Sequence, residues 1–258
     1  MKLEIVPVAD VEPVDGHVMG HPTTGGVTSR RASPADYPLW LARVELDDGA
    51  TLRWPASHGD EGVYVRAGEL EVAGTRCPAG GAVVVETGAA CTVRAVGPTS
   101  LVHCGPSDGQ GAGGDSVHVV GPEGRWLTSR GEVVSARWFA DGTCPTCSIQ
   151  LFHVRHAGQG TEQRGPSHHH SQDEIIHVLE GGMRLGSQRC GPDTSLCIPA
   201  DVRYATIGPP GGHAFLNYRR DVSYLTADRA APAALETAVG QGGVDSGGLR
   251  LSVRQPSS

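Results

Sequence analysis

The chain has 258 residues, 37 of them Gly and 18 Pro, only 5% aromatic, with a formal net charge of −7. That length suits one large or two small domains. The negative charge, with Lys2 as the only lysine and basic residues no denser than pairs such as Arg30-Arg31 and Arg219-Arg220, argues against a nucleic-acid partner.

Residues 1–35 read as an irregular N-terminal arm: a strand over 2–8, then Pro13, Gly16, Gly20, Pro22 and Gly25-Gly26. Such an arm wraps over the body or over a partner subunit. Met1 to Pro7 lacks the apolar core of a signal peptide, and no apolar run approaches a bilayer span. The expectation is a cytoplasmic protein with no membrane partner. Seven Cys, an odd number scattered along the chain, do not form a disulfide framework in that compartment.

From Trp40 onward, short runs of Val, Leu and Ala alternate with turn residues. Strands are expected over 41–46, 50–54, 62–67, 69–73, 81–86, 91–96 and 100–104. Residues 106–115 form a Ser/Gly-rich loop. Cys144-Pro145-Thr146-Cys147 is a lone C-x-x-C; zinc needs four ligands, no second pair follows, and free or structural thiols are expected. The same rhythm resumes over 148–155, 175–179, 183–186, 194–198, 204–207 and 213–218. A closing strand is expected over 219–227, a short helix over 230–239 and an edge strand over 249–253.

His168-His169-His170-Ser171-Gln172-Asp173-Glu174 gathers metal-binding side chains at a usable spacing. Alternate residues of a strand share a face, so His168, His170 and Glu174 project together. Two imidazoles and one carboxylate suit a divalent transition metal with open positions. His169 and His177 have the opposite parity and are expected to face outward. Gly181-Gly182 supplies the turn into the next strand.

The halves repeat. A shift of 113 residues puts Asp60-Glu61 on Asp173-Glu174, Val65 on Val178, Gly68 on Gly181 and Arg76-Cys77 on Arg189-Cys190. Pro55 and Ser57 fall on His168 and His170, and Cys91 falls on Tyr204. Glu61 alone survives of the candidate ligands, with His58 off by one in register. The first copy is therefore expected to have lost its metal and to serve as scaffold.

These residues resemble the cupin superfamily, specifically a bicupin. The family's first motif is matched by His168-x-His170, Glu174 and Gly181, with Glu162 in place of the leading Gly. Its second motif is matched by Pro199, with Asp201 where Gly is usual, Tyr204 at the third His and Gly208 at the Asn. The resemblance implies an all-β fold of two tandem jelly-roll barrels. The expected division is an arm over 1–35, a degenerate cupin over 36–120, a connector over 121–146, a metal-binding cupin over 147–220 and an extension over 221–258. It implies a metal held by His168, His170 and Glu174, with Tyr204 or His213 completing the set. Fe(II) is the first expectation, with Mn, Ni or Zn as alternatives.

The expected activity is that of an Fe(II) dioxygenase acting on a small organic substrate. The alternatives are a redox-neutral lyase, isomerase or decarboxylase with Tyr204 as acid/base beside Glu174, and a non-catalytic ligand-binding bicupin. The arm and the barrel edges suggest a homodimer.

Overall fold

The computed structural model describes residues 1–55, 58–123, 126–129, 133–220, 225–227 and 250–253. Within them the chain is antiparallel sheet, joined by turns and one 3-10 turn at Val8–Asp10. No helix among the described residues is long and apolar enough to cross a membrane.

Each half folds as two facing sheets. In the first, Glu61–Ala67 sits between Thr99–Pro106 and Ala82–Val85 in a large sheet, opposite a smaller sheet built on Thr51–Trp54 and Cys91–Ala95. In the second, Glu174–Glu180 sits between Gly212–Arg219 and Thr194–Ile198 in the same way. The turns match too: Gly68 and Gly181 hold φ of 78° and 73°, the left-handed region that glycine enters without strain. Asp201 holds φ of 61° in the turn after Pro199, a left-handed conformation that Asp tolerates better than most residues.

Alternation explains why the large sheets are apolar on both faces. Val63, Val65, Val83, Val85 and Leu101 fill the first barrel. Their neighbours Tyr64, Ala82, Val84, Val102 and Cys104 face the other way, into a layer shared with Ile149, Leu151, Ile175, Leu179, Leu216 and Tyr218 of the second half. Ile176, Val178, Leu196 and Ile198 fill the second barrel. The two copies thus pack back to back, sheet on sheet.

The ends of the chain cross over. Glu4–Pro7 pairs with the second half's Thr194–Ile198. Thr23–Thr24 and Val27–Arg31 pair with the first half, and Val14–Asp15 pairs with Val27–Arg31, so the arm folds over its own body. The expected edge strand appears as Arg250–Val253, paired with Val117–Val120 of the first half. Of the expected closing strand, Leu225–Ala227 is described, paired with His168–His170. The expected helix over 230–239 lies outside the described residues.

Candidate metal centre

Glu61 opens its strand with the parity of Val63 and Val65, so its carboxylate enters the first barrel, where it is 3% exposed. His103 shares the inward parity of Leu101 and lies on the neighbouring strand opposite Val63. Its Nε2 lies 2.8 Å from Glu61 Oε2, and Trp54 Nε1 donates to the same oxygen at 2.6 Å. Two further imidazoles come from the arm. His21 Nε2 lies 3.1 Å from Glu61 Oε2, and His17 Nε2 lies 2.9 Å from His103 Nδ1. One nitrogen of each of His17, His21 and His103 falls within 4.8 Å of the others.

The arm reaches the barrel through a turn that the sequence builds locally. Gly16 and Gly20 take φ of 82° and 78°. Gly20 N–H closes onto the His17 carbonyl at 2.8 Å. The buried Ser29 hydroxyl donates to the Gly16 carbonyl at 2.9 Å and accepts from Val18 N–H at 2.7 Å. Trp40 and Trp54 wall the site, their rings 4.8 and 5.1 Å from that of His103. Gly105 is required here, because a Cβ would collide with the Trp40 ring.

The site is held in ligand form. Burial, with His103 and His21 adding repulsion, pushes His17 down to about 2. Burial pushes His103 down to about 4 against the attraction of Glu61. Burial works to raise the Glu61 carboxyl, but hydrogen bonds from His103 and His21 outweigh it and hold the group below the usual carboxylate range. At neutral pH, His17 and His103 are neutral and Glu61 is ionised, the forms that bind a cation. Three imidazoles and one carboxylate fit a divalent transition metal.

The second copy gathers the expected residues differently. Glu174 enters its barrel as Glu61 does, and Tyr204 Oη donates to its two oxygens at 3.1 and 2.9 Å. Asn217, opposite Ile176 as His103 is opposite Val63, donates to Glu174 Oε1. Arg219 fills the space between: its Nη2 lies 3.0 Å from both Glu174 Oε1 and His170 Nε2. His170 Nε2 is 3.5 Å from Glu174 Oε2. His168 Nδ1 is on the Pro166 carbonyl at 2.9 Å, and its ring packs 4.3 Å from that of Tyr204. Among the described residues, the donor groups of three or more that lie within 4.8 Å are His17, His21, His103 and Glu86, Cys144, Cys147. His168, His170 and Glu174 are not such a group.

Other expectations are corrected by burial. The first copy is not stripped of ligands: the arm and His103 replace the positions that Pro55 and Ser57 fail to supply. His58 is buried with its nitrogens on the Gly59 and Ala89 carbonyls at 2.6 and 2.9 Å, so it is structural. His177 does face away from the barrel with Ile175 and Leu179, but that face is the layer shared with the first half, so it is fully buried, with Nδ1 3.0 Å from Ser195 Oγ. His213 stacks on His156 at 4.4 Å, and nothing places it beside Glu174.

No family model matches the chain, and no curated protein matches it by sequence. Solved structures do match by fold. A provisionally named dioxygenase from Nostoc punctiforme has a TM-score of 0.65 at 11% identity, over 89% of this chain and 87% of its own. A provisionally named glyoxylate-induced protein from Pseudomonas aeruginosa has a TM-score of 0.67 at 19% identity, over 84% and 88%. The oxalate decarboxylase of Lactobacillus farciminis, solved with formate, has a TM-score of 0.65 at 12% identity, over 91% and 92%. The chain shares the fold of these structures, here two units of facing β-sheets in tandem, packed back to back.

Proposed function

We propose that the chain is a metal-dependent enzyme whose working metal is held by His17, His21, His103 and Glu61 in the first copy, and that it is an Fe(II) dioxygenase of a small organic substrate. The carrying observation is the convergence of three imidazole nitrogens within 4.8 Å, beside a buried carboxylate. A bound iron would supply open positions and redox capacity for dioxygen and substrate. The chain's own residues hold the donors: Ser29 fixes the arm turn, Trp54 orients Glu61, and the two indoles keep water from the donor set. Both indole N–H groups beside the donors are already engaged within the protein. Trp40 Nε1 is taken up by the Pro106 carbonyl at 3.1 Å, and Trp54 Nε1 by Glu61.

The redox-neutral reading, a decarboxylase or lyase, is supported by the fold match to oxalate decarboxylase. In the form that used Tyr204 as base it is disfavoured. Burial, with Glu174 beside it, drives the Tyr204 phenol well above its ordinary value, so it stays a donor to Glu174. Oxygen uptake over a panel of small acids and ketones, with iron- and manganese-loaded protein, separates the readings. Turnover coupled to oxygen consumption supports the dioxygenase; turnover with no oxygen consumed establishes the redox-neutral alternative. We also propose that the chain forms a homodimer, which light scattering tests.

A further inference from the structure

Apart from the barrel sites, Glu86, Cys144 and Cys147 bring one oxygen and two sulfurs within 4.8 Å of one another. The three come from distant parts of the chain. Glu86 follows the strand Ala82–Val85 of the first copy, and the cysteines lie in the loop between Val134–Asp141 and Gln150–Ala157, paired strands of the second half's large sheet. Both thiols are free, Cys147 buried and Cys144 half-buried. The Glu86 carboxylate is 1% exposed. Its Oε1 accepts from Thr146 Oγ1 at 2.8 Å, lies 3.7 Å from Cys144 Sγ and 3.0 Å from His118 Nε2. Its Oε2 accepts from Ser116 N–H at 2.9 Å. These partners are neutral donors and an imidazole. A Cβ on Gly114 would collide with the carboxylate, so the loop before Val117–Val120 is shaped around it.

We propose that Cys144, Cys147, Glu86 and His118 form a thiolate metal site, selective for zinc, that staples this loop of the second half to the first barrel. The donor chemistry is two sulfurs, one carboxylate oxygen and one imidazole nitrogen. Zinc takes such mixed sets in tetrahedral geometry, with bonds of about 2.0–2.3 Å that put ligand atoms roughly 3.3–3.8 Å apart. Three of the donors already stand within 4.8 Å of one another, and the fourth, His118 Nε2, is 3.0 Å from the Glu86 carboxylate. On binding, each thiol releases its proton to solvent as its sulfur bonds the metal, so two protons leave per ion.

The staple has a structural consequence close to the metal centre. Ser148, next to Cys147, donates its N–H to Asp60 Oδ2 at 2.6 Å. Asp60 also accepts from Ala112 N–H at 2.9 Å and from Thr87 N–H at 2.8 Å. Asp60 is the residue before Glu61. An ion on Cys144 and Cys147 therefore fixes the same loops that fix the start of the Glu61 strand.

The test is a Co(II) titration of reduced, metal-stripped, full-length protein lacking a His tag, followed by zinc. The wild type is expected to develop a sulfur-to-cobalt charge-transfer band that saturates and is abolished by zinc. The His17→Ala/His21→Ala variant keeps the band, because imidazoles do not produce it. Glu86→Gln weakens cobalt binding about 10- to 100-fold, and Cys144→Ser/Cys147→Ser loses the band. Should that double variant fail to fold, alkylation of wild-type protein decides: zinc protects Cys144 and Cys147 selectively against the other five thiols. Absence of the band in reduced wild type, or equal alkylation of the two cysteines with and without zinc, overturns the proposal.

Discussion

One strand position, occupied by Glu61 in the first copy and Glu174 in the second, shows two ways to bury a carboxylate. Glu61 is met by two imidazoles and an indole; Glu174 is met by a guanidinium, an amide and a phenol. A buried charge must be paired, and the pairing decides what the barrel can hold. Trp54→Phe removes the N–H that orients Glu61; metal affinity is expected to fall about 10- to 100-fold, read by competition with a chelator. Arg219→Met leaves Glu174 buried without its cation and is expected to cost about 3–5 kcal/mol at neutral pH. Burial would raise Glu174, but Arg219 and the hydrogen bonds outweigh it and hold the group down to about 2. The ordinary value is about 4.3, so this stabilisation is present above that pH and is lost as pH falls toward 2. Urea unfolding at pH 7 and pH 3 checks it: the gap between wild type and Arg219→Met should shrink at the lower pH.

At the scale of elements, the arm turn matters most, because it carries two of the four donors. Ser29 touches no proposed ligand side chain, yet it holds Gly16 and Val18 on either side of His17. Ser29→Ala should leave the half-buried Val18 N–H and Gly16 carbonyl without this partner, at about 1 kcal/mol. It should also weaken metal binding, whereas a purely structural role would lower the melting temperature alone. Metal affinity and melting temperature measured on one preparation separate the two. This element was the least legible in the sequence. The strands were readable from alternation, and the repeat placed Glu61 and Glu174 at equivalent positions. His17 and His21 were not readable as ligands, since they sit in a Gly- and Pro-rich stretch with no period. His103 falls in a strand that alternation makes readable, but its equivalence to Asn217 is hidden. The shift that aligns Glu61 with Glu174 is one residue short of the one relating His103 to Asn217, and a one-residue slip in a strand reverses the face.

For the whole molecule, the shared layer between the large sheets makes the two copies interdependent. Tyr37 donates its hydroxyl to the Glu174 and Ile198 carbonyls at 3.0 and 2.8 Å. Arg43 and Arg66 of the first half reach Asp193 of the second. With the terminal strands exchanged as well, unfolding is expected to be one cooperative transition. Coincident tryptophan-fluorescence and circular-dichroism curves would agree with this; two separated transitions would not. The His-x-His motif of the second copy was the clearest chemical signal in the sequence. It could not reveal that Arg219, from a strand far along the chain, enters the space between His170 and Glu174.

The most direct measurement is the transition-metal content of untagged protein, compared between wild type, His17→Ala/His21→Ala and His168→Ala/His170→Ala, each also carrying Cys144→Ser/Cys147→Ser. The account expects about one metal ion per chain, lost with His17 and His21 and kept without His168 and His170. Metal that survives loss of His17 and His21 but disappears with His168 and His170 would contradict it and return the working centre to the second copy.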